Sequence, residues 1–269
     1  MSRVDLDGAL VLVTGAGSGI GASTARRFAQ AGSRVAIVDI QGEEAAAIAA
    51  EVAGRGGEAH AFVCDVADPA AMDDLAAQVT DELGPVDVLV NNAGVGLAGP
   101  FLEASLEDWQ WIRSINLDGV VHGCRSFGPA MAQRGRGHIV NVASGAGYVA
   151  HRHMAAYCAT KSAVIMLSEC LRADLAPQGV GVSVICPGLV RTPIHTHARY
   201  RGALEGKQEA AKRIFRFGRP PGDVARAIVE AVRRDQALVP VGIESQLAFR
   251  LLRFAPRPVR GLITNHTLL

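Results

Sequence analysis

The chain has 269 residues, of which 49% are apolar and 20% charged, with a formal net charge of +1; this is the make-up of one large α/β domain with its own core. So small a charge speaks against a dedicated nucleic-acid binder, and no apolar run approaches the roughly 18 residues of a membrane-spanning helix. Five scattered cysteines (Cys64, Cys124, Cys158, Cys170, Cys186) without CxxC spacing and the absence of a charged-then-apolar leader after Met1 predict a reduced, cytoplasmic protein without a structural metal.

Ala9 to Val13 reads as a strand. It leads into Thr14-Gly15-Ala16-Gly17-Ser18-Gly19-Ile20-Gly21, after which Ala22 to Ala31 suits a helix. A strand that stops at glycines and turns at once into a helix leaves converging N–H groups unpaired, and these favour an anion such as a pyrophosphate. Gly15 and Gly17 are expected to allow the tight turn and the approach of phosphate, and Gly21 a close helix–sheet contact. Arg34 to Asp39 is a buried strand ending in a carboxylate 18 residues beyond Gly21. In a dinucleotide fold that acid accepts hydrogen bonds from ribose hydroxyls and repels a 2′-phosphate, so NAD is expected over NADP. Neither Ser18 nor Ile40 offers the basic group that a 2′-phosphate would need. The competing reading makes Asp39 the start of a surface turn.

Glu43 to Val52 is predicted as a helix, and Ala59 to Val63 as a strand running into Cys64-Asp65-Val66, where Asp65 either meets an adenine edge or merely ends the strand. Pro69 opens a helix with Met72, Leu75, Ala76 and Val79 inward. Val86 to Val90 then runs into Asn91-Asn92-Ala93-Gly94. This alternation predicts a Rossmann-type, doubly wound parallel sheet in a single domain.

Ser105, Glu107 and Asp108 open a helix expected to reach about Arg134, with Asn116 inside it where propensity alone disfavours an amide. Ile139 to Ala143 forms a strand that delivers Ser144. A helix from about Ala155 to Ala176 carries Tyr157 and Lys161, and Val180 to Cys186 is a strand before Pro187-Gly188. A helix from Pro220-Pro221 through Arg234 and a last strand at Leu238 to Pro240 complete the pattern.

From Thr192 onward the chain holds 14 Lys and Arg against 6 Asp and Glu, which leaves 13 against 20 before it. Residues 192–218 show no clear apolar period and are expected to form a mobile, partly helical substrate lid. His195 and His197 lack a nearby third ligand, so a metal site is not expected there. The basic, apolar tail at 246–269, with Arg250, Arg253, Arg257 and Arg260 beside Leu247, Phe249 and Phe254, is expected to pack on the protein itself or a sister subunit; a weak membrane-surface contact is the competing reading.

Tyr157 and Lys161 are four apart and share one helix face. A neighbouring ammonium and a cationic nicotinamide would both favour the phenolate, and a three-unit fall in its pKa takes roughly 4 kcal/mol. Ser144, at the end of a neighbouring strand, would hold a substrate oxygen against the tyrosine hydroxyl.

Together these residues resemble the short-chain dehydrogenase/reductase family. The likeness runs from Leu10 to about Gly242 through the glycine turn, Asp65, Asn91-Asn92-Ala93-Gly94, Asn116, Ser144, Tyr157-Cys158-Ala159-Thr160-Lys161, Pro187-Gly188 and Thr192. The resemblance implies that Tyr157 is the acid/base and that Ser144 orients the substrate oxygen. It implies that Lys161 binds the nicotinamide ribose, that Asn116 holds a relay water, that Asn91 and Gly94 line the adenosine side and that Thr192 meets the carboxamide. The cofactor site is then expected at Gly15, Ser18, Gly19, Ile20, Asp39, Asp65, Val66, Asn92, Ala93, Gly94, Tyr157, Lys161, Pro187, Gly188, Val190 and Thr192. The family's habit implies a homodimer or homotetramer.

The expected activity is NAD-dependent interconversion of a secondary alcohol and a ketone. Apolar residues around Ser144 and Tyr157, with Leu189, Val190 and Ile194, favour a steroid-, retinoid- or lipid-like substrate. An NADPH-dependent 3-ketoacyl-thioester reductase and a non-catalytic nicotinamide-binding regulator are the alternatives.

Overall fold

A computed structural model describes residues 4–252. The leader expectation at Met1 to Arg3 and the tail residues Arg253, Phe254, Arg257 and Arg260 lie outside the described residues. In chain order the main elements are β1 (Leu10–Thr14), α1 (Gly19–Ala29), β2 (Arg34–Asp39), α2 (Gly42–Ala53), β3 (Ala59–Val63), α3 (Pro69–Leu83), β4 (Val88–Asn91), β5 (Leu97–Ala98) and α4 (Leu106–Arg113). After a wide turn at Ser114–Asp118 come α5 (Gly119–Arg134), β6 (Gly137–Val142), α6 (Ala155–Leu175), β7 (Val180–Pro187), β8 (Arg199–Tyr200), α7 (Gln208–Arg216), α8 (Pro221–Arg234), β9 (Leu238–Val241) and α9 (Ile243–Leu252).

Seven strands form one parallel sheet in the order β3-β2-β1-β4-β6-β7-β9. Strand residues alternate between two apolar layers, which is why the central strands read as unbroken apolar runs. Val11 and Val13 face α1, α2 and α8 through Ala25, Phe28, Ile48 and Ile228. Leu10 and Leu12 face α3, α5 and α6 through Met72, Leu75, Phe127, Met131 and Leu171. The Rossmann-type sheet is therefore as the sequence predicts. Strand order reverses between β1 and β4, and because α1 and α5 cover opposite faces of the sheet, the connections leaving those two strands diverge and leave a crevice beyond their carboxyl ends.

The helix expected from Ser105 to Arg134 is divided. Ser105 accepts a bond from the Asp108 N–H at 3.1 Å, and Asp108 accepts one from the Ser105 N–H at 3.2 Å, a capping box that starts α4. At Ser114–Asp118 the backbone widens into a π turn before α5 resumes. The cause is visible at Asn116, whose amide accepts from the Val95 N–H at 2.8 Å and donates to the Val95 carbonyl at 2.9 Å. That pair of bonds fixes the amide where a regular turn would not place it.

At the opposite end of the sheet, His138 is wholly buried between strands, with Nε2 at 2.8 Å from the Ser183 hydroxyl. Burial lowers its pKa to about 4. A histidine that is neutral when folded and titrates near 6.5 when unfolded contributes stability above pH 6.5, and that stability is lost as pH falls toward 4. Acidification from pH 7 to 5 is expected to cost about 2 kcal/mol through this group. Urea unfolding at the two pH values checks this, and His138→Gln is expected to flatten the pH slope.

Candidate active site

At the reversal point the turn after β1 is tied to the end of β4. Asn92 Nδ2 donates to the carbonyls of Thr14 at 2.9 Å and Gly15 at 3.0 Å, while Thr14 Oγ1 accepts from the N–H groups of Asn92 at 3.0 Å and Ala93 at 3.1 Å. Gly21 is required by this closure, since a Cβ there would lie 2.1 Å from the Gly15 carbonyl. Ser18 precedes α1 without capping it, and the first turn holds no acid. The N-terminal N–H groups and the positive end of the helix dipole thus face the crevice.

Gly17 departs from expectation. Its N–H does not wait for a phosphate but donates to Asp39 Oδ2 at 2.9 Å, and the space a Cβ would occupy is taken by Asp39 and Glu44. The other carboxylate oxygen of Asp39 accepts from the Gln41 N–H at 3.0 Å. Asp39 is therefore a fixed anion at the far end of the crevice. Asp65 accepts from the Ala67 N–H at 2.9 Å, so it ends its strand in a local turn while also lining the crevice.

The crevice is a cleft of about 290 Å³. All the cofactor-side residues named from the sequence, from Gly15 to Thr192, line it, and Ser144 joins Tyr157 and Lys161 there. Asn91 does not. Its side chain turns into the core, donating to Asn141 Oδ1 at 2.9 Å, because alternation along β4 puts it under α5. Asn116 is also wholly buried, its amide committed to Val95, so the side chain anchors the segment beside Gly94.

Ser144 is extended, at φ −167°, and its hydroxyl accepts from the Ala146 N–H at 3.2 Å. Lys161 is buried, its Nζ donating to the Val142 carbonyl at 2.9 Å and lying 6.0 Å from the centre of the Tyr157 ring. Burial pulls the Lys161 pKa down to about 8, with Cys186 pulling the other way. Burial also pushes the Tyr157 hydroxyl above its ordinary value, against the neighbouring Ser144 hydroxyl. The expected fall of the Tyr157 pKa is thus not present in the protein alone: Nζ turns to Val142, and desolvation of the phenol dominates.

Sequence reasoning missed Glu44 and Phe215 as lining residues and considered His197 only as a metal ligand; all three line the cleft. For Phe215 the signal was the spacing from Ala211, which puts both on one face of α7, where Ala211 is buried. Among the described residues no cluster of three metal-ligating side chains occurs, and no helix is long and apolar enough to cross a membrane.

The segment over the cleft is ordered by ion pairs. β8 pairs with β5, and Asp108, only 1% exposed, accepts from Arg199 at 3.0 Å and from Arg201 at 2.7 Å. Arg199 also stacks on Trp111 at 4.1 Å, and the Arg201 bonds hold the Asp108 carboxyl well below the usual carboxylate range.

The short chain dehydrogenase family model matches residues 9–201, and the chain belongs to that family. The Mycobacterium tuberculosis protein named "Probable oxidoreductase EphD" is 41% identical over 94% of this chain and 44% of its own length, so the chain spans less than half of that relative. The D-threitol dehydrogenase of Mycolicibacterium smegmatis is 42% identical over 83% of this chain and 85% of its own. A short chain dehydrogenase/reductase from Burkholderia phymatum, solved in complex with NAD, superposes with a TM-score of 0.85 at 31% identity and 99% coverage of both chains.

Asp108→Asn is expected to leave Arg199 and Arg201 without their buried partner and to destabilise the segment around β8 by about 3 kcal/mol. Limited proteolysis should then cut within residues 199–216 of the variant several-fold faster than in the parent protein.

Proposed function

We propose that the chain oxidises a secondary alcohol to a ketone with NAD as hydride acceptor and Tyr157 as the base. The observation that carries this reading is the meeting of Ser144, Tyr157 and Lys161 in one cleft whose other end is the uncapped start of α1. When bound, the nicotinamide ring supplies the acceptor for the hydride that leaves the carbinol carbon. The hydroxyl proton passes to the Tyr157 oxygen while Ser144 donates to and orients the substrate oxygen. The Lys161 ammonium is the positive group available to favour the phenolate, and a cationic ring beside it adds to that field. The N-terminal N–H groups of α1 are suited to the pyrophosphate, and Pro187, Gly188, Val190 and Thr192 to the nicotinamide end.

NAD is favoured over NADP by charge. Asp39 is pinned by two N–H groups, Glu44 stands beside it, and Ile40 and Gln41 complete that end of the cleft. A 2′-phosphate would meet two carboxylates and no cation. For the same reason the NADPH-dependent thioester reductase is the weaker alternative. Val95, Val190, Ile194 and Phe215 make the reactive end apolar, which supports a hydrophobic secondary alcohol. A polyol is the second reading, favoured by the relative named D-threitol dehydrogenase and by His197 as a polar group at that end.

Initial rates of NADH formation across steroid, terpenoid, aliphatic, polyol and 3-hydroxyacyl alcohols test the reading. Turnover is expected with NAD⁺ and is expected to fall by about 10²-fold or more in Tyr157→Phe. Because the base must be deprotonated and burial raises its pKa, kcat/KM for oxidation should climb with pH across the neutral range. Wild-type rates in Tyr157→Phe would sink the assignment. Separately, Asp39→Ser is expected to shift the cofactor preference toward NADP⁺ by about tenfold, read from kcat/KM for the two cofactors.

A further inference from the structure

The loop after Ser144 has little intrinsic rigidity. Gly145, Ala146 and Gly147 form one short turn, closed by the Gly147 N–H to the Ser144 carbonyl at 2.9 Å and the Tyr148 N–H to the Gly145 carbonyl at 3.2 Å. A serine that must hold a substrate oxygen against Tyr157 needs tighter placement than this sequence supplies, since misplacement by about 1 Å can cost 10²-fold in rate.

Gly147 packs on α6, where a Cβ would meet Ile165 and the Lys161 carbonyl, and a second restraint, on Tyr148, comes from the far end of the chain. The Tyr148 hydroxyl donates to the Ser245 carbonyl on α9 at 2.9 Å and also meets the Ser245 hydroxyl. Ser245 is 2% exposed and donates from Oγ to the Cys186 carbonyl at 2.7 Å. Cys186 immediately precedes Pro187 and Gly188 of the cleft wall, and the Gly188 N–H donates to the Val241 carbonyl at 2.9 Å just before α9. Phe249, one turn along α9, sets its ring edge-on to Tyr148 with centroids 5.5 Å apart. Ser245 is thus the point at which the Ser144 loop, the end of β7 and α9 meet.

We propose that Tyr148 and Ser245 form a latch through which the C-terminal helix holds the Ser144 loop in its reacting position. Both are positioning residues, acting through Ser144, and the inference rests on the alcohol-oxidation reading for its effect on rate. The latch stays a hydrogen-bond donor through the working range, because burial pushes the Tyr148 hydroxyl up to about 12. It also gives α9 a function at the Ser144 loop, although among the described residues none of α9 lines the cleft.

The test uses the full chain as wild type, Ser144→Ala, Tyr148→Phe, Ser245→Ala and the Ser144→Ala/Tyr148→Phe double variant. Tyr148→Phe removes one hydroxyl and keeps the ring against Phe249. In the wild-type background it is expected to lower kcat about tenfold, with KM and NADH affinity within twofold of wild type. In the Ser144→Ala background the same change is expected to have no further effect, because the residue it acts through is gone. Equal losses in both backgrounds, or an unchanged kcat in Tyr148→Phe, would overturn the latch.

Hydrogen exchange of residues 144–149 in the free protein gives a readout that needs no turnover. It is expected to quicken several-fold in Tyr148→Phe and Ser245→Ala while exchange in the central strands stays unchanged. Unchanged exchange at 144–149 overturns the latch whatever the rates. A wild type silent toward every alcohol, with exchange at 144–149 still quickened in the variants, supports the loop restraint and overturns the functional reading instead.

Discussion

The cleft depends on the stitch between Thr14 and Asn92. Where the strand order reverses at β1 and β4 the following connections diverge to opposite faces, and the crevice between them exposes backbone groups with no sheet partner. Asn92 covers two of these carbonyls, and Thr14 Oγ1 covers two N–H groups from the opposite side. With those groups satisfied, the turn after β1 can end in a helix whose own first N–H groups stay open. One side-chain amide and one hydroxyl thereby separate what the fold must satisfy from what it leaves free for a ligand.

The reactive end follows a different rule, in which burial works against charge. Tyr157 and Lys161 are both displaced by desolvation toward their neutral forms, and Cys186 beside them is pushed up to about 12 for the same reason. A partly desolvated cleft wall of this kind raises the strength of any charge that enters, because field lines are poorly screened there. The ionisation of Tyr157 and Lys161 is therefore sensitive to what occupies the cleft. Its walls are set by segments far apart in sequence: the Ser144 position, the end of β7, and the stretch from Thr192 to His197.

Asp108 and Ser245 show how remote residues fix that geometry. Asp108 begins as a helix cap and ends as the shared anion for Arg199 and Arg201, so one carboxylate both starts α4 and anchors the segment 90 residues later. Ser245 ties α9 to β7 and, through Tyr148, to the loop that carries Ser144. The basic surplus of the last third is partly explained by the first contact. Arg199 and Arg201 serve as structural partners of a buried acid, while Lys212 pairs with Glu209 on the exposed side of α7.

By itself the sequence determined the layer architecture, the order of the seven strands of the sheet and many of the residues that line the cleft. Buried parallel strands must be apolar runs, and a glycine turn between strand and helix has few other uses, so local composition carries that information. Tertiary structure alone decided the π turn at Asn116, because its amide is bonded to the Val95 backbone in the loop after β4, a contact that the propensity of residues 114–118 does not carry. It decided that Gly17 serves Asp39, that Asn91 faces the core, and that burial shifts the Tyr157 hydroxyl upward while Lys161 Nζ turns to the Val142 carbonyl. It also brought Ser245 to Tyr148 across 97 residues. Hydrogen-bond partners and desolvation depend on which surfaces meet after folding, and no local pattern in the chain encodes that meeting.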